Sequence, residues 1–324
     1  MDQPPLQNTA PLPPPVTPLA GLAGAATRGS NEGSGVHPRR SLADAKELAR
    51  QHASTQMFGI TDQGCVRSLN QDQFLIADLE RSMLVQQASF EDQRGTALLD
   101  LPQGRLLMVA DGMGGYTGGE VASAVAIDVM ARYAFAMMPW LLMVSRTTEQ
   151  EFVAGLQHAL QSCNDRVRSE AAQRGLDARM GTTLTMAYVS WPDLYVAHVG
   201  DSRCYLQRAG QLHRLTHDHT VAQQLVDQNA LSAEEAEHSR FKHVLVNTIG
   251  GASEKVEMEF RHISLEPGDQ VLLCTDGLTG HVSDADLTHY LSRGEAVERL
   301  ANEMVEQAKH AGGEDNITVV IARF

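Results

Sequence analysis

Five aspartates in this chain stand at the ends of short apolar runs, and that placement limits what the chain can fold into. Val-Ala-Asp111-Gly112 and Cys-Thr-Asp276-Gly277 each close such a run with Asp-Gly, and Val-Gly-Asp201-Ser-Arg does something close to it. Asp315 comes just before Ile-Thr-Val-Val-Ile, and Asp72 just before Phe74-Leu75-Ile76. Runs of this length and composition predict strands, at Phe74–Asp78, Leu106–Ala110, Leu184–Ser190, Tyr195–Val199, Cys204–Gln207, Gln270–Cys274 and Ile317–Ala322. Longer patterned stretches predict helices over Gly119–Ala136, Glu149–Arg174, Val221–Asn229, Ala233–His238 and Gly294–Ala311. The strands gather as hairpins around Trp191-Pro192-Asp193 and Arg208-Ala209-Gly210, while the helices form separate blocks. That order favours antiparallel sheets with helices packed outside over a regular βαβ alternation.

Composition decides what surrounds this core. With 43% hydrophobic residues in 324, apolar material is ample. Eight of the twelve prolines fall before residue 39, in a stretch without helical or strand period. Residues 1–40 therefore read as a disordered tail, a solvated tether or a polyproline docking segment. Ser41–Arg50 reads as a short helix capped by Ser41, and residues 41–54 as the linker into the domain. Beyond residue 50 there are 21 Lys and Arg against 36 Asp and Glu, so the acidity belongs to the domain itself. Such a surface repels nucleic-acid phosphates and anionic membranes, and the prediction is no nucleic-acid partner. The longest apolar run, Ala134–Val144, is eleven residues and contains Pro139, too short to span a bilayer. Cys65, Cys163, Cys204 and Cys274 are far apart and form no Cys-x-x-Cys, which predicts free thiols in a cytoplasmic protein.

Any single Asp-Gly after a strand reads as a turn, but a set of five asks for another account. Carboxylates gathered at one sheet edge repel each other unless cations neutralise them, and an all-oxygen set suits Mg²⁺ or Mn²⁺. Two such ions can clamp a phosphoryl group and activate water, so the spacing alone supports a two-metal hydrolase. Gly112-Met113-Gly114-Gly115 with Gly118-Gly119 also has the look of a nucleotide loop, but an Asp intervenes and no βαβ unit follows. These glycines are better read as letting the Gly112 carbonyl approach a metal and the next helix approach the sheet. Arg67, five residues before Asp72 in what reads as a hairpin, would offer a fork for two phosphate oxygens. His213, His217 and His219 around Asp218 read either as a zinc or acid/base cluster or as an exposed loop.

With these residues assembled, the chain resembles the metal-dependent protein phosphatases of type 2C in their bacterial form. The motifs carrying the resemblance lie in order from about Thr55 to Phe324. They are Thr61-Asp62-x-Gly64-x-x-Arg67-x-x-Asn70-Gln71-Asp72, Asp111-Gly112-Met113-Gly114-Gly115 with Gly118-Gly119-Glu120, Gly181-Thr182-Thr183, Gly200-Asp201-Ser202-Arg203, Thr275-Asp276-Gly277-Leu278 and Asp315-Asn316-Ile317-Thr318. The resemblance implies an α+β fold, a four-layer α-β-β-α sandwich of two antiparallel sheets flanked by helices, with the metal site in a cleft at one end. It implies that Asp111 bridges two Mn²⁺ or Mg²⁺ ions, that Gly112 offers its carbonyl, and that Asp276 and Asp315 complete the first site. Asp201 with Asp276 would match the third-metal site of bacterial members. Arg67 would bind the substrate phosphate, Asp72 would orient a metal-bound water, and Gln71 and Asn316 would support the ligands. The stretch from about residue 217 to 248 would be the flap.

Two departures stand out. Gln71 replaces the Glu of many eukaryotic members, removing a possible carboxylate ligand, and Met113 replaces a His that is a candidate general acid. Residues 246–250 also lack the arginine of a basic flap exit. The resemblance implies hydrolysis of phosphoserine and phosphothreonine in proteins, opposing a bacterial Ser/Thr kinase, by a monomer. The alternatives are a pseudophosphatase that binds phosphoproteins without turnover, and a metal-dependent nuclease, which the acidic surface opposes. No cysteine is followed by Arg six positions later, so the loop of covalent tyrosine phosphatases is absent.

Overall fold

The computed structural model describes residues 55–79, 104–115, 117–143 and 149–324. The expected tail and the short helix at 41–54 lie outside these residues. Every predicted strand is present. In chain order the elements are β1 Gln56–Asp62, β2 Gln73–Leu79, β3 Gly104–Ala110, β4 Gly112–Met113, α1 Gly118–Met143 and α2 Glu149–Arg174. They continue with β5 Gly181–Thr182, β6 Leu184–Ser190, β7 Asp193–Val199, β8 Arg203–Arg208, β9 Gln211–Arg214, α3 Val221–Asp227, α4 Ala233–Glu237 and β10 Ile249–Gly250. The chain ends with β11 Glu259–Ser264, β12 Gln270–Cys274, α5 Asp276–Thr279, α6 Asp284–Ser292, α7 Val297–His310 and β13 Ile317–Arg323.

Two five-stranded antiparallel sheets result, ordered β1-β13-β12-β8-β9 and β11-β7-β6-β3-β2. Alternation along the strands explains the layers. On β3, Leu107 and Val109 enter the core between the sheets, while Leu106, Met108 and Ala110 face α1 and α2. On β13, Val320 and Ala322 enter the same inter-sheet core, while Ile317, Val319 and Ile321 face α6 and α7. The outer helices supply matching stripes: α7 buries Val297, Leu300, Ala301, Met304, Val305 and Ala308, the three-and-four spacing of an amphipathic helix. Because both faces of each sheet are covered, the central strands carry near-continuous apolar runs, such as Leu106–Ala110 on β3 and Val271–Cys274 on β12. This is the expected four-layer α-β-β-α sandwich.

Two expectations need correction, and several elements are additional. The segment from Thr61 to Asp72 is not a hairpin, because β1 pairs with β13 and β2 pairs with β3 in the other sheet, so residues 63–72 cross between sheets. The helix expected from Gly294 begins at Val297, after Gly294 takes a positive φ of 68° that favours glycine. β1, β4, β5, β9, β10 and β11 lie outside the expected strands, and α5 and α6 outside the expected helices. A capping box between Ser283 and Asp286 sets the start of α6.

Among the described residues, no helix is long and apolar enough to cross a membrane.

Candidate active site

Strand ends bring the five aspartates to one end of the sandwich. Asp72 precedes β2, Asp111 follows β3 and Asp201 lies between β7 and β8, while Asp276 follows β12 and Asp315 precedes β13. A cleft of about 430 Å³ opens there, lined by Arg67, Gln71, Asp111, Gly112, Met113 and Gly114, and by Asp201, His243, Asp276 and Asp315.

Asp72 sits deepest, 1% exposed, and ties the two sheets together. Its Oδ2 accepts from the Thr275 hydroxyl at 2.8 Å and the Thr318 hydroxyl at 2.7 Å, both from the opposite sheet. Its Oδ1 is buried without a hydrogen-bond partner, and so is Asp276 Oδ1. The backbone of Asp111 is fixed by β5 and its neighbour: its N–H donates to Thr183 Oγ1 at 2.9 Å, and its carbonyl accepts from Thr183 N–H at 2.9 Å and Thr182 Oγ1 at 2.8 Å. Gly112 must be glycine, since a Cβ there would overlap the Gly119 carbonyl and lie 2.6 Å from Gln71 O. Close contact between α1 and the sheet, read from the glycines in the sequence, is thus present.

Arg67 lies half-exposed at the rim, its Nη2 2.6 Å from Asp315 Oδ2. Asn316 holds the segment that carries it. Its Nδ2 donates to Gln63 O and Leu69 O, each at 2.9 Å, and its Oδ1 accepts from Gln71 N–H at 2.9 Å. Gln71 reaches across the cleft, its Nε2 donating to Gly114 O at 3.3 Å, and its carbonyl accepts from Ser123 Oγ at 2.6 Å.

The electrostatics follow from placing so many carboxyls in so little water. Burial, and then repulsion from Asp276 and Asp315, pushes the Asp72 carboxyl up to about 7 despite its two threonine donors. Burial, then Asp72 and Asp276, raises Asp111 well above the carboxylate range, and burial with Asp276 and Asp218 does the same for Asp201. Burial works against the charge of Asp276 too, but His243 and then Asp111 and Arg67 hold it below the ordinary range. A group of acids that cannot all be charged in the bare protein, two of them with an unpartnered buried oxygen, is a donor set made for a hard cation.

His243 is the site residue that sequence reasoning missed. Its Nδ1 lies 2.9 Å from Asp276 Oδ2, and one ligand atom each from Asp201, His243 and Asp276 lie within 4.8 Å of one another. No local pattern marks it, because the contact depends on the path of the 217–248 segment. Of the two readings of His213, His217 and His219 around Asp218, the zinc or acid/base cluster is not found among the described residues. Asp218 is instead paired with Arg203 at 2.7 Å and with Arg214, and His217 Nε2 is 2.9 Å from Asp227. His219 meets His198 and Glu259, but both His198 nitrogens are engaged, Nδ1 with Thr185 Oγ1 and Nε2 with the carbonyls of Gly200 and His217.

Two antiparallel sheets between helix layers, with an arginine-rimmed carboxylate cleft at one end, define a metal-dependent phosphatase. The family model described as protein phosphatase 2C matches residues 81–318, and the chain belongs to that family. It is 32% identical over 216 residues to the serine/threonine phosphatase stp of Listeria innocua, covering 67% of this chain and 83% of that protein. The structure of the S. agalactiae serine/threonine phosphatase matches with a TM-score of 0.67 at 28% identity, over 83% of this chain and 99% of that one. The catalytic domain of the serine/threonine protein phosphatase PstP, in complex with two manganese ions, matches with a TM-score of 0.62 at 30% identity, over 83% and 97% of the two chains.

Proposed function

We propose that this cleft hydrolyses phosphoserine and phosphothreonine in proteins with Mn²⁺ or Mg²⁺ as cofactor. The observation that carries the reading is the convergence of Asp111, Asp201, Asp276 and Asp315 from separate strand ends on one cleft rimmed by Arg67, with Asp72 buried beside Asp276 and Asp315. In this reading Asp111, the Gly112 carbonyl, Asp276 and Asp315 would hold two ions, and Asp201 with Asp276 would hold a third. When bound, the ions supply Lewis-acid polarisation of the phosphoryl group and an activated water as nucleophile.

The protein's own part is positioning. Arg67 leaves Asp315 to take two phosphate oxygens in its planar fork, which fixes the phosphorus over the carboxylates. Asn316 makes that possible by pinning Gln63, Leu69 and Gln71 on both sides of Arg67. Asp72, held by Thr275 and Thr318, directs its free Oδ1 as an acceptor for a water proton in the cleft. Met113 offers no proton, so the leaving serine or threonine oxygen takes its proton from solvent within the cleft.

The same reading assigns residues 55–324 to the phosphatase domain, with a flap at 217–248, acting as a monomer in the cytoplasm against a Ser/Thr kinase. The test is phosphate release from a phosphothreonine peptide as Mn²⁺ is titrated from zero, with EDTA as control and Asp276→Asn alongside. Metal-dependent release that falls by orders of magnitude in the variant is expected. Full activity in Asp276→Asn would refute the site assignment. No release by well-folded protein at millimolar Mn²⁺ would leave a phosphoprotein-binding module instead.

A further inference from the structure

We propose that His243 is a nitrogen ligand of a cation held with Asp201 and Asp276, so that this ion fastens the 217–248 segment to the end of the sheets. The inference rests on reading the cleft as a metal centre. Its own support is geometric. One ligand atom from each of the three residues falls within 4.8 Å of the others, and His243 Nδ1 is 2.9 Å from Asp276 Oδ2. Two donors at right angles on one ion, each bonded at about 2.1 Å, are separated by about 3 Å. Asp276 has the capacity for a second ion as well, since its Oδ1 is buried and unpartnered while its Oδ2 faces His243.

The segment's own packing gives the ligand a purpose. Between Gln223 and Asn247 no residue is fully buried, and α4 has no buried side chain at all. Near His243 two backbone bonds, Val221 N–H to Val244 O at 2.8 Å and Val246 N–H to His219 O at 2.9 Å, join the segment only to its own start, and Asn247 Nδ2 reaches Glu257 O at 2.6 Å. A segment with so little core opens at small cost in free energy. Coordination by one of its side chains couples its closure to cation binding, by an amount set by how much more tightly the closed form binds the ion. An imidazole beside carboxylates also selects among ions, favouring Mn²⁺ over Mg²⁺, because nitrogen donors suit transition metals better than Mg²⁺.

The experiment uses the full chain and MnCl₂, with two readouts independent of turnover. Pulsed EPR on protein labelled with ¹⁵N-histidine reports whether an imidazole nitrogen is bonded to Mn²⁺. Trypsin cleavage after Arg240 and Lys242, followed by mass spectrometry, reports segment opening. Wild type is expected to show histidine coupling, with cleavage slowed about ten-fold by Mn²⁺, as proteolysis follows the open population. His243→Ala is expected to lose both the coupling and the protection while still binding Mn²⁺ through Asp111. His243→Asp is expected to regain protection without nitrogen coupling, and to extend it to Mg²⁺. Mn²⁺ bound by wild type without histidine coupling, or protection that survives in His243→Ala, would overturn the proposal and leave the metal-centre reading intact. No Mn²⁺ retained by wild type would overturn both.

Discussion

Arg67 and Asp315 are partners in the bare protein, Nη2 to Oδ2 at 2.6 Å, although one is assigned to the phosphate and the other to a cation. The pair keeps a rim arginine from folding away into solvent. Its strength is modest, because the Arg67 side chain is 54% exposed. Arg67→Ala should raise KM for a phosphopeptide by about 10–100-fold with a smaller change in kcat, the pattern of a lost ground-state contact. Steady-state kinetics at saturating Mn²⁺ check this, and an effect confined to kcat would contradict the role.

Asp111→Asn should move stability in opposite directions with and without metal. In EDTA the substitution removes a buried acid crowded by Asp72 and Asp276, so the melting temperature should rise by a few degrees. With millimolar Mn²⁺ the wild type should gain more, since ions that bind only the folded state stabilise it in proportion to their affinity. The two melting curves should therefore change order between EDTA and Mn²⁺. A variant that melts below wild type in EDTA would show that Asp111 is not under repulsion.

Thr318→Val removes a donor from Asp72 Oδ2 across the two sheets. Loss of a hydrogen bond to a buried carboxyl costs about 1–3 kcal/mol. Urea unfolding of the EDTA-treated protein should show a cost in that range, with turnover reduced as well because Asp72 loses its fixed orientation. Thr318→Ser should restore most of both.

Gly112→Ala should abolish metal binding or folding, because the added methyl overlaps backbone of Gly119 rather than a movable side chain. Calorimetric Mn²⁺ titration of any soluble variant is the check, and near-normal binding would mean that α1 can withdraw from the sheet.

Acid should weaken the fold through two histidines far from solvent. Burial, and then His219, pushes His198 down to about 3, and burial, then His217, pushes His219 down to about 4. In the unfolded chain both titrate near 6.5, so below that pH the unfolded state takes up protons that the fold refuses. Stability from these groups is thus full above about pH 6.5 and falls by about 1.4 kcal/mol per pH unit for each histidine as pH drops toward 4. The raised cleft carboxyls act with opposite sign, so the measurement is the difference in slope between wild type and His198→Gln in urea unfolding from pH 7.5 to 5. Equal slopes would show that His198 is protonated in the fold.

What could be read from the sequence followed burial. Strands such as β3 and β12 are buried on both faces, so they appear as unbroken apolar runs with clear ends. β1 and β11 are half-buried or exposed throughout, at the outer positions of their sheets. Their sequences, Gln-Met-Phe-Gly-Ile-Thr-Asp and Glu-Phe-Arg-His-Ile-Ser, carry little strand signal, and their conformation comes from pairing with β13 and β7. The hairpin expected around Arg67 failed for the same reason: local sequence suggests a turn but not which sheet each arm joins. The aspartates were legible because their positions at strand ends repeat, a pattern that survives without knowing the strand order. His243 was not, since its meeting with Asp276 spans 33 residues and depends on how the 217–248 segment runs.

The cleft is assembled from both sheets, with Asp72 and Asp111 anchored to one, Asp276 and Asp315 to the other, and Asp201 on the link between them. The distance between those acids is therefore set by the thickness of the layer formed by Val109, Leu107, Leu273 and Val320. Cavities or overfilling in that layer would change the spacing of the aspartates before they melt the protein. Residues remote from the chemistry thus set its calibration, through the volume they fill.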